Sequence, residues 1–233
     1  MHHIKTITCK SILKLLLVLT CVVLIASCKK HDDYDFTATV TANVRLVNTS
    51  TDGGPAKLYM TDVLRTPNAV SFGTASAYNL TYTGQVDVSV QSASNTVLAT
   101  TNTAIDAQGN YTFFLTGTTG SYGVITLNDN TTAAASGKAK VRFVQASSSV
   151  TSGNLLGNGT ALFSAQAFKA VSDYSEVSAG TYVFTVTNTG SAAVLATSAS
   201  ATLQAGKNYT VYTSGISGTT GTTALAVNVL ANN

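Results

Sequence analysis

The sequence predicts an all-β fold, and three observations carry that prediction. First, apolar and polar residues alternate. Val40, Ala42, Val44 and Leu46 alternate with Thr41, Asn43 and Arg45; Val86, Val88 and Val90 alternate with Asp87 and Ser89; Tyr182, Phe184 and Val186 alternate with Val183 and Thr185. A period of two is the pattern of a half-buried antiparallel strand. Second, turn signals punctuate these runs, as in Asp52-Gly53-Gly54-Pro55, Gln108-Gly109-Asn110 and Gly206-Lys207-Asn208. Third, the chain repeats itself. Ala42–Val47 matches Ala139–Val144 at an offset of 97, Ser76–Val90 matches Ser172–Val186 at 96, and Asn110-Tyr111-Thr112 matches Asn208-Tyr209-Thr210 at 98. Copies of about 100 residues suit two tandem immunoglobulin-like Greek-key β-sandwich domains, here after a cleaved signal helix.

Residues 1–27 have the three parts of a signal peptide. Lys5, Lys10 and Lys14 supply positive charge. Leu15 to Ala26 is an apolar run shorter than the roughly 20 residues that span a bilayer. Its end, Ile25-Ala26-Ser27-Cys28, resembles the lipobox of bacterial lipoproteins. That resemblance implies cleavage between Ser27 and Cys28 and a thioether from Cys28 to diacylglycerol. Residues 28–38 read as a tether. Lys29 and Lys30 suit lipid phosphates. Asp32, Asp33 and Asp35 resemble the acidic export signal that follows the lipidated cysteine in surface lipoproteins of the Bacteroidota. The expected location is therefore the outer membrane, displayed on the cell surface, with a periplasm-facing orientation as the alternative.

Cleavage changes the charge. The precursor carries 13 basic and 10 acidic side chains, but all three lysines of the signal leave with it. The mature chain is formally neutral and carries no electrostatic footprint for nucleic acid. Cys28 is its only thiol, so no disulfide forms within it.

The first sandwich is assigned to 39–131 and the second to 138–233. Residues 132–137 form the linker, within a small and polar stretch starting at Asp129 that reads as a hinge, with the domains end to end. Ala107-Gln108-Gly109-Asn110-Tyr111 and Ala205-Gly206-Lys207-Asn208-Tyr209 each turn and then start a strand through a Tyr. This resembles the tyrosine corner of Greek-key sandwiches, which makes Tyr111 and Tyr209 structural.

Catalytic chemistry finds little to use. The mature chain has one His (His31, in the tether), one Cys and one Glu (Glu176). A Ser-His-Asp or Cys-His site cannot be assembled in the folded part, a zinc site nearly as little, and no cofactor is expected. Arg45 and Arg142, at equivalent positions, read as strand residues that pair with a carboxylate or carbonyls. Tyr78, Tyr82 and Tyr212 are the candidate ligand contacts: Tyr78 and Tyr82 lie four apart, and Tyr212, equivalent to Phe114, points away from Tyr209. Exposed rings of this kind could stack on sugars.

The block order also supports a family resemblance. A Val-Arg-x-Val strand (Val44–Val47, Val141–Val144) leads to Phe-x-x-x-Ser-x-Tyr (Phe72–Tyr78, Phe168–Tyr174), an alternating strand, and an Asn-Tyr-Thr strand ending at Gly117 or Gly215. This resembles the DUF4397 family, extracytoplasmic bacterial domains that often occur in tandem. Lys57 stands where family members commonly carry an acid. The expected function is a non-catalytic, lipid-anchored envelope protein, a binding, adhesion or scaffold module whose partners are the membrane through its anchor and an envelope protein. The alternative is a glycan-binding lipoprotein of a polysaccharide uptake system.

Overall fold

A computed structural model describes residues 41–129 and 132–232. They contain no helix and fall into eighteen strands. The first copy comprises β1 (Thr41–Asn48), β2 (Ala56–Met60), β3 (Val63–Leu64), β4 (Asn79–Tyr82), β5 (Gly84–Ser92), β6 (Val97–Ile105), β7 (Asn110–Thr116) and β8 (Gly123–Asn128). The second comprises β9 (Lys138–Val144), β10 (Ser152–Gly157), β11 (Thr160–Ala167), β12 (Ser175–Ser178), β13 (Gly180–Tyr182), β14 (Phe184–Asn188), β15 (Val194–Thr197), β16 (Ala201–Leu203), β17 (Asn208–Ser214) and β18 (Ala226–Ala231).

Each copy is a β-sandwich. In the first, a sheet ordered β4-β1-β7-β8 packs on one ordered β3-β2-β5-β6. In the second, β12-β9-β17-β18 packs on β11-β10-β14-β15, with β13 paired to β16. The alternation described above sets the two cores. Val44, Leu46, Val86, Val88 and Val90 point inward with Tyr111, Phe113 and Leu115. Val141, Phe143, Phe184 and Val186 do the same with Tyr209 and Val211.

Two details of topology were not foreseen. The first strand of each copy lies antiparallel to one neighbour but parallel to the other: β1 to β7, and β9 to β17. Parallel neighbours need a long crossover, and the whole opposite sheet supplies it. The chain also changes sheets within one extended run. β4 ends at Tyr82 in one sheet and β5 starts at Gly84 in the other; in the second copy Gly180 occupies the same place. Their φ angles, 107° and 147°, lie where a side chain is rarely accommodated.

The tyrosine corners are built through the turn before β7 and β17. Tyr111 Oη accepts the Asp106 N–H at 3.0 Å, and Tyr209 Oη accepts the Gln204 N–H at 2.9 Å. A side chain on Gly109 would collide with the Tyr111 ring, so the glycine lets the ring fold back over the turn. Tyr111→Phe and Tyr209→Phe are each expected to cost about 0.5–1.5 kcal/mol, the net value of one hydrogen bond. Urea denaturation of the single variants checks this; an unchanged midpoint in both would remove the corners from the stability account.

The copies do not hang end to end on a hinge. The described residues form one compact unit. A third core, made of Val47, Phe114, Ile125, Leu127, Val144, Ala146 and Tyr212, draws on both copies. The β4-β1-β7-β8 and β12-β9-β17-β18 sheets therefore meet through the faces they turn away from their own sandwiches. The result is four stacked layers with three cores. β17 is buried at every residue and β7 at all but its first, the signature of strands covered on both faces.

Candidate functional site

A buried polar cluster lies between the copies. Arg45 on β1 and Arg142 on β9 occupy polar positions of the alternation, so their side chains leave the sandwich cores. In a lone sandwich they would meet water. Here they meet the other copy, at 5% and 4% exposure.

The arrangement is reciprocal. Arg45 donates from Nε to Thr112 Oγ1 at 2.7 Å, from Nη1 to the Ala231 carbonyl at 2.8 Å, and from Nη2 to Asn232 Oδ1 at 2.7 Å. Arg142 donates from Nε to Thr210 Oγ1 at 2.9 Å, from Nη1 to the Asn128 carbonyl at 2.9 Å, and from Nη2 to Asp129 Oδ1. Each guanidinium thus holds its own copy through a threonine and grips the end of the other copy's last strand. Asp129 and Asn232 are equivalent: each follows the last strand and continues the ladder, through Asp129 N–H to Asn110 O at 2.7 Å and Asn232 N–H to Asn208 O at 2.9 Å.

The symmetry breaks at that pair, because two guanidiniums share one carboxylate. Asp129 Oδ2 lies 3.9 Å from Arg45 Nη2 and accepts from Thr112 Oγ1 at 2.5 Å and Tyr78 Oη at 2.6 Å. Asn232 Nδ2 donates to Tyr174 Oη at 2.6 Å. The two tyrosines also roof the guanidiniums, with Arg45 Cζ 4.4 Å from the Tyr78 ring centre and Arg142 Cζ 4.9 Å from that of Tyr174. Burial pulls the Arg45 guanidinium below its usual range, opposed by Tyr78 and Asp129. Burial pushes Tyr78 well above an ordinary phenol, and the Asp129 carboxylate adds to it; burial likewise raises Tyr174. All three nitrogens of both guanidiniums donate within the protein, so this cluster acts as a clasp between the copies.

Two sequence readings change. Asp129, taken for part of a polar hinge, is 4% exposed and serves as the buried counter-ion. Tyr212, taken for a ligand contact, is also 4% exposed. It packs edge-on against Phe114, with ring centres 5.2 Å apart at 73°, and burial raises its hydroxyl to about 12. The third core covers the face that alternation left open, so neither ring can stack on a sugar. Tyr78 and Tyr82 are not gathered into one platform either: Tyr78 lies on Arg45 in the clasp, whereas Tyr82 is 69% exposed with Arg65 Cζ 5.7 Å from its ring centre. Ser27, Cys28, Asp32, Asp33 and Asp35 lie outside the described residues.

The arginine, threonine and tyrosine of the clasp and the parallel register recur once per copy, and only the Asp129–Asn232 pair differs. The chain matches the family described as domain of unknown function (DUF4397) over residues 42–152 and again over 148–233. It belongs to the DUF4397 family. No curated protein matches it. The two DUF4397 copies use their shared Val-Arg-x-Val strand to hold each other, and their Phe-x-x-x-Ser-x-Tyr blocks end in the roofing tyrosines. Of the motif residues, Arg45, Val47, Arg142 and Val144 face the other copy, whereas Val44, Leu46, Val141 and Phe143 fill their own sandwich cores. One signal for this was present in the sequence: Phe113-Phe114-Leu115 and Val211-Tyr212 break the alternation with consecutive apolar side chains. Among the described residues no cluster of His, Cys, Asp and Glu suits a metal ion.

Proposed function

We propose that this chain is a non-catalytic, lipid-anchored protein of the bacterial outer membrane that presents a rigid two-copy β module at the cell surface as a binding, adhesion or scaffold element. The clasp is the observation that carries this reading. It commits both recurrent arginines, their tyrosines and Asp129 to fixing one copy against the other, which suits a stiff presenting unit. Ile25-Ala26-Ser27-Cys28 supports the anchor, and Asp32, Asp33 and Asp35 support outward display.

Cys28→Ala tests the anchor. The variant is expected to lose labelling by an alkyne fatty acid and to leave the membrane fraction or remain uncleaved. Maturation and membrane retention without Cys28 would overturn the reading. Protease shaving of intact cells tests display: protection until the outer membrane is broken would put the module on the periplasmic side.

A second reading, glycan capture for a polysaccharide uptake system, draws on one observation, the exposed Tyr82 ring beside Arg65. It requires sugar-dependent stabilisation that Tyr82→Ala abolishes.

A further inference from the structure

The two copies share a fold, so each is an internal control for the other. They differ sharply at one edge. In the first copy β3 and β4 are the edge strands of the two sheets. A cleft of about 280 Å³ opens between them, lined by Val63, Arg65, Thr81, Tyr82 and Gln85 among others. Two buried polar atoms there have no partner, Arg65 Nε and Thr81 Oγ1. Thr81 is 3% exposed. A buried hydroxyl without a partner costs stability, and the fold does not require one at this position. By register Thr81 opposite Ala42 corresponds to Val177 opposite Ala139, and Val177 is the near-isosteric apolar choice.

The rim differs in the same way. Leu80 and Tyr82 on β4 are 65% and 69% exposed, and Val63 on β3 is 49% exposed. The second copy carries Glu176 and Ser178 in place of Leu80 and Tyr82. The apolar rim is thus peculiar to the first copy and lies beside its cation. Its position is also informative. Tyr82 pairs with Thr41, where the described chain starts. Thr41 lies thirteen positions after Cys28, a reach of at most about 45 Å.

We infer that this cleft docks on the phospholipid surface that carries the chain, with Arg65 and Thr81 donating to a headgroup phosphate while Leu80, Tyr82 and Val63 enter the interfacial zone. Aliphatic side chains, a tyrosine and a cation are the composition that suits that zone. An acidic saccharide would use Arg65, Thr81 and Tyr82 but would leave Leu80 and Val63 in water. The docking geometry rests on the lipid-anchor reading, because the anchor keeps this edge within reach of the bilayer.

The test supplies its own tether, so the two ideas fail separately. Residues 39–233, which hold all three cores, are attached by an N-terminal hexahistidine tag to phosphatidylethanolamine–phosphatidylglycerol vesicles containing nickel-chelating lipid. The chain has no tryptophan, so Tyr82→Trp gives a single reporter. Its emission is expected to shift to the blue on the vesicles. Leu80→Glu or Arg65→Gln should abolish the shift. Thr81→Val should weaken it several-fold while raising the melting temperature, the signature of a hydroxyl kept for a ligand. No shift on tethered vesicles, or a shift indifferent to Leu80→Glu and Arg65→Gln, overturns the inference. So does a shift produced by polygalacturonate or by glycerol phosphate in solution but not by vesicles; the first assigns the cleft to an acidic saccharide and the second to a soluble phosphate.

Discussion

Asp129→Ala is expected to lower stability by about 3–5 kcal/mol, the range for removing one partner of a buried ion pair. The loss does not measure the worth of the Arg142–Asp129 contact. It reflects what remains: two guanidiniums at 5% and 4% exposure with no counter-charge, Thr112 Oγ1 deprived of its acceptor, and Tyr78 Oη left with the longer contact to the Asn232 carbonyl. Asn232 cannot compensate, since its Oδ1 already accepts from Arg45. Asp129→Asn separates charge from shape. It makes the two strand ends alike and keeps an acceptor for Arg142, so it should cost less than alanine while still leaving both cations unneutralised. Urea denaturation with an unchanged slope checks the pair. A loss below about 1 kcal/mol for alanine, the value of an exposed pair, would mean that water reaches the clasp.

The sequence made each sandwich legible because a single strand reports its own sandwich face. Val44, Leu46, Val86 and Val141 alternate, and they are core. Tyr111 and Tyr209 follow a turn, and their hydroxyls meet that turn's backbone. Gly84 and Gly180 recur at one offset, and they are where the chain changes sheets. The outer face was harder. Arg45 is polar and alternates with apolar residues, as a solvated residue would. Nothing local tells whether water or another sheet covers it. That depends on Ala231 and Asn232, 186 and 187 residues away in the sequence. Asp129 is the sharpest case. Its neighbours are small and polar, so composition reads as a hinge, yet its side chain is the one carboxylate on which two distant arginines converge. Tyr212 misled for the same reason, since pointing away from Tyr209 does not mean pointing into solvent. The cleft between β3 and β4 was only partly legible. Tyr82 stood out as an aromatic, whereas Thr81 and Arg65 gain meaning only when Val177 shows what the same position holds in the other copy.

Phe114→Ala is expected to cost about 3–5 kcal/mol, the range for deleting a buried phenylalanine side chain, and to weaken both copies together. Phe114 is fully buried, but not in its own sandwich. It sits in the third core with Val47, Ile125 and Leu127 from the first copy and Val144, Ala146 and Tyr212 from the second. Neighbouring Phe113 is equally buried yet belongs to the first sandwich core alone. The two substitutions remove the same volume from different places. Phe113→Ala should lower amide protection in β5 and β7 first. Phe114→Ala should lower it in β7 and β17 alike, because those strands present their covered faces to each other. Hydrogen exchange of the two variants distinguishes these patterns. If Phe114→Ala spared β17, the third core would be a contact between independently stable domains, and the clasp would have to hold the copies alone. If both strands lose protection in step, the copies unfold as one cooperative unit. Stiffness is then a property of the whole stack, as the proposed presenting module requires.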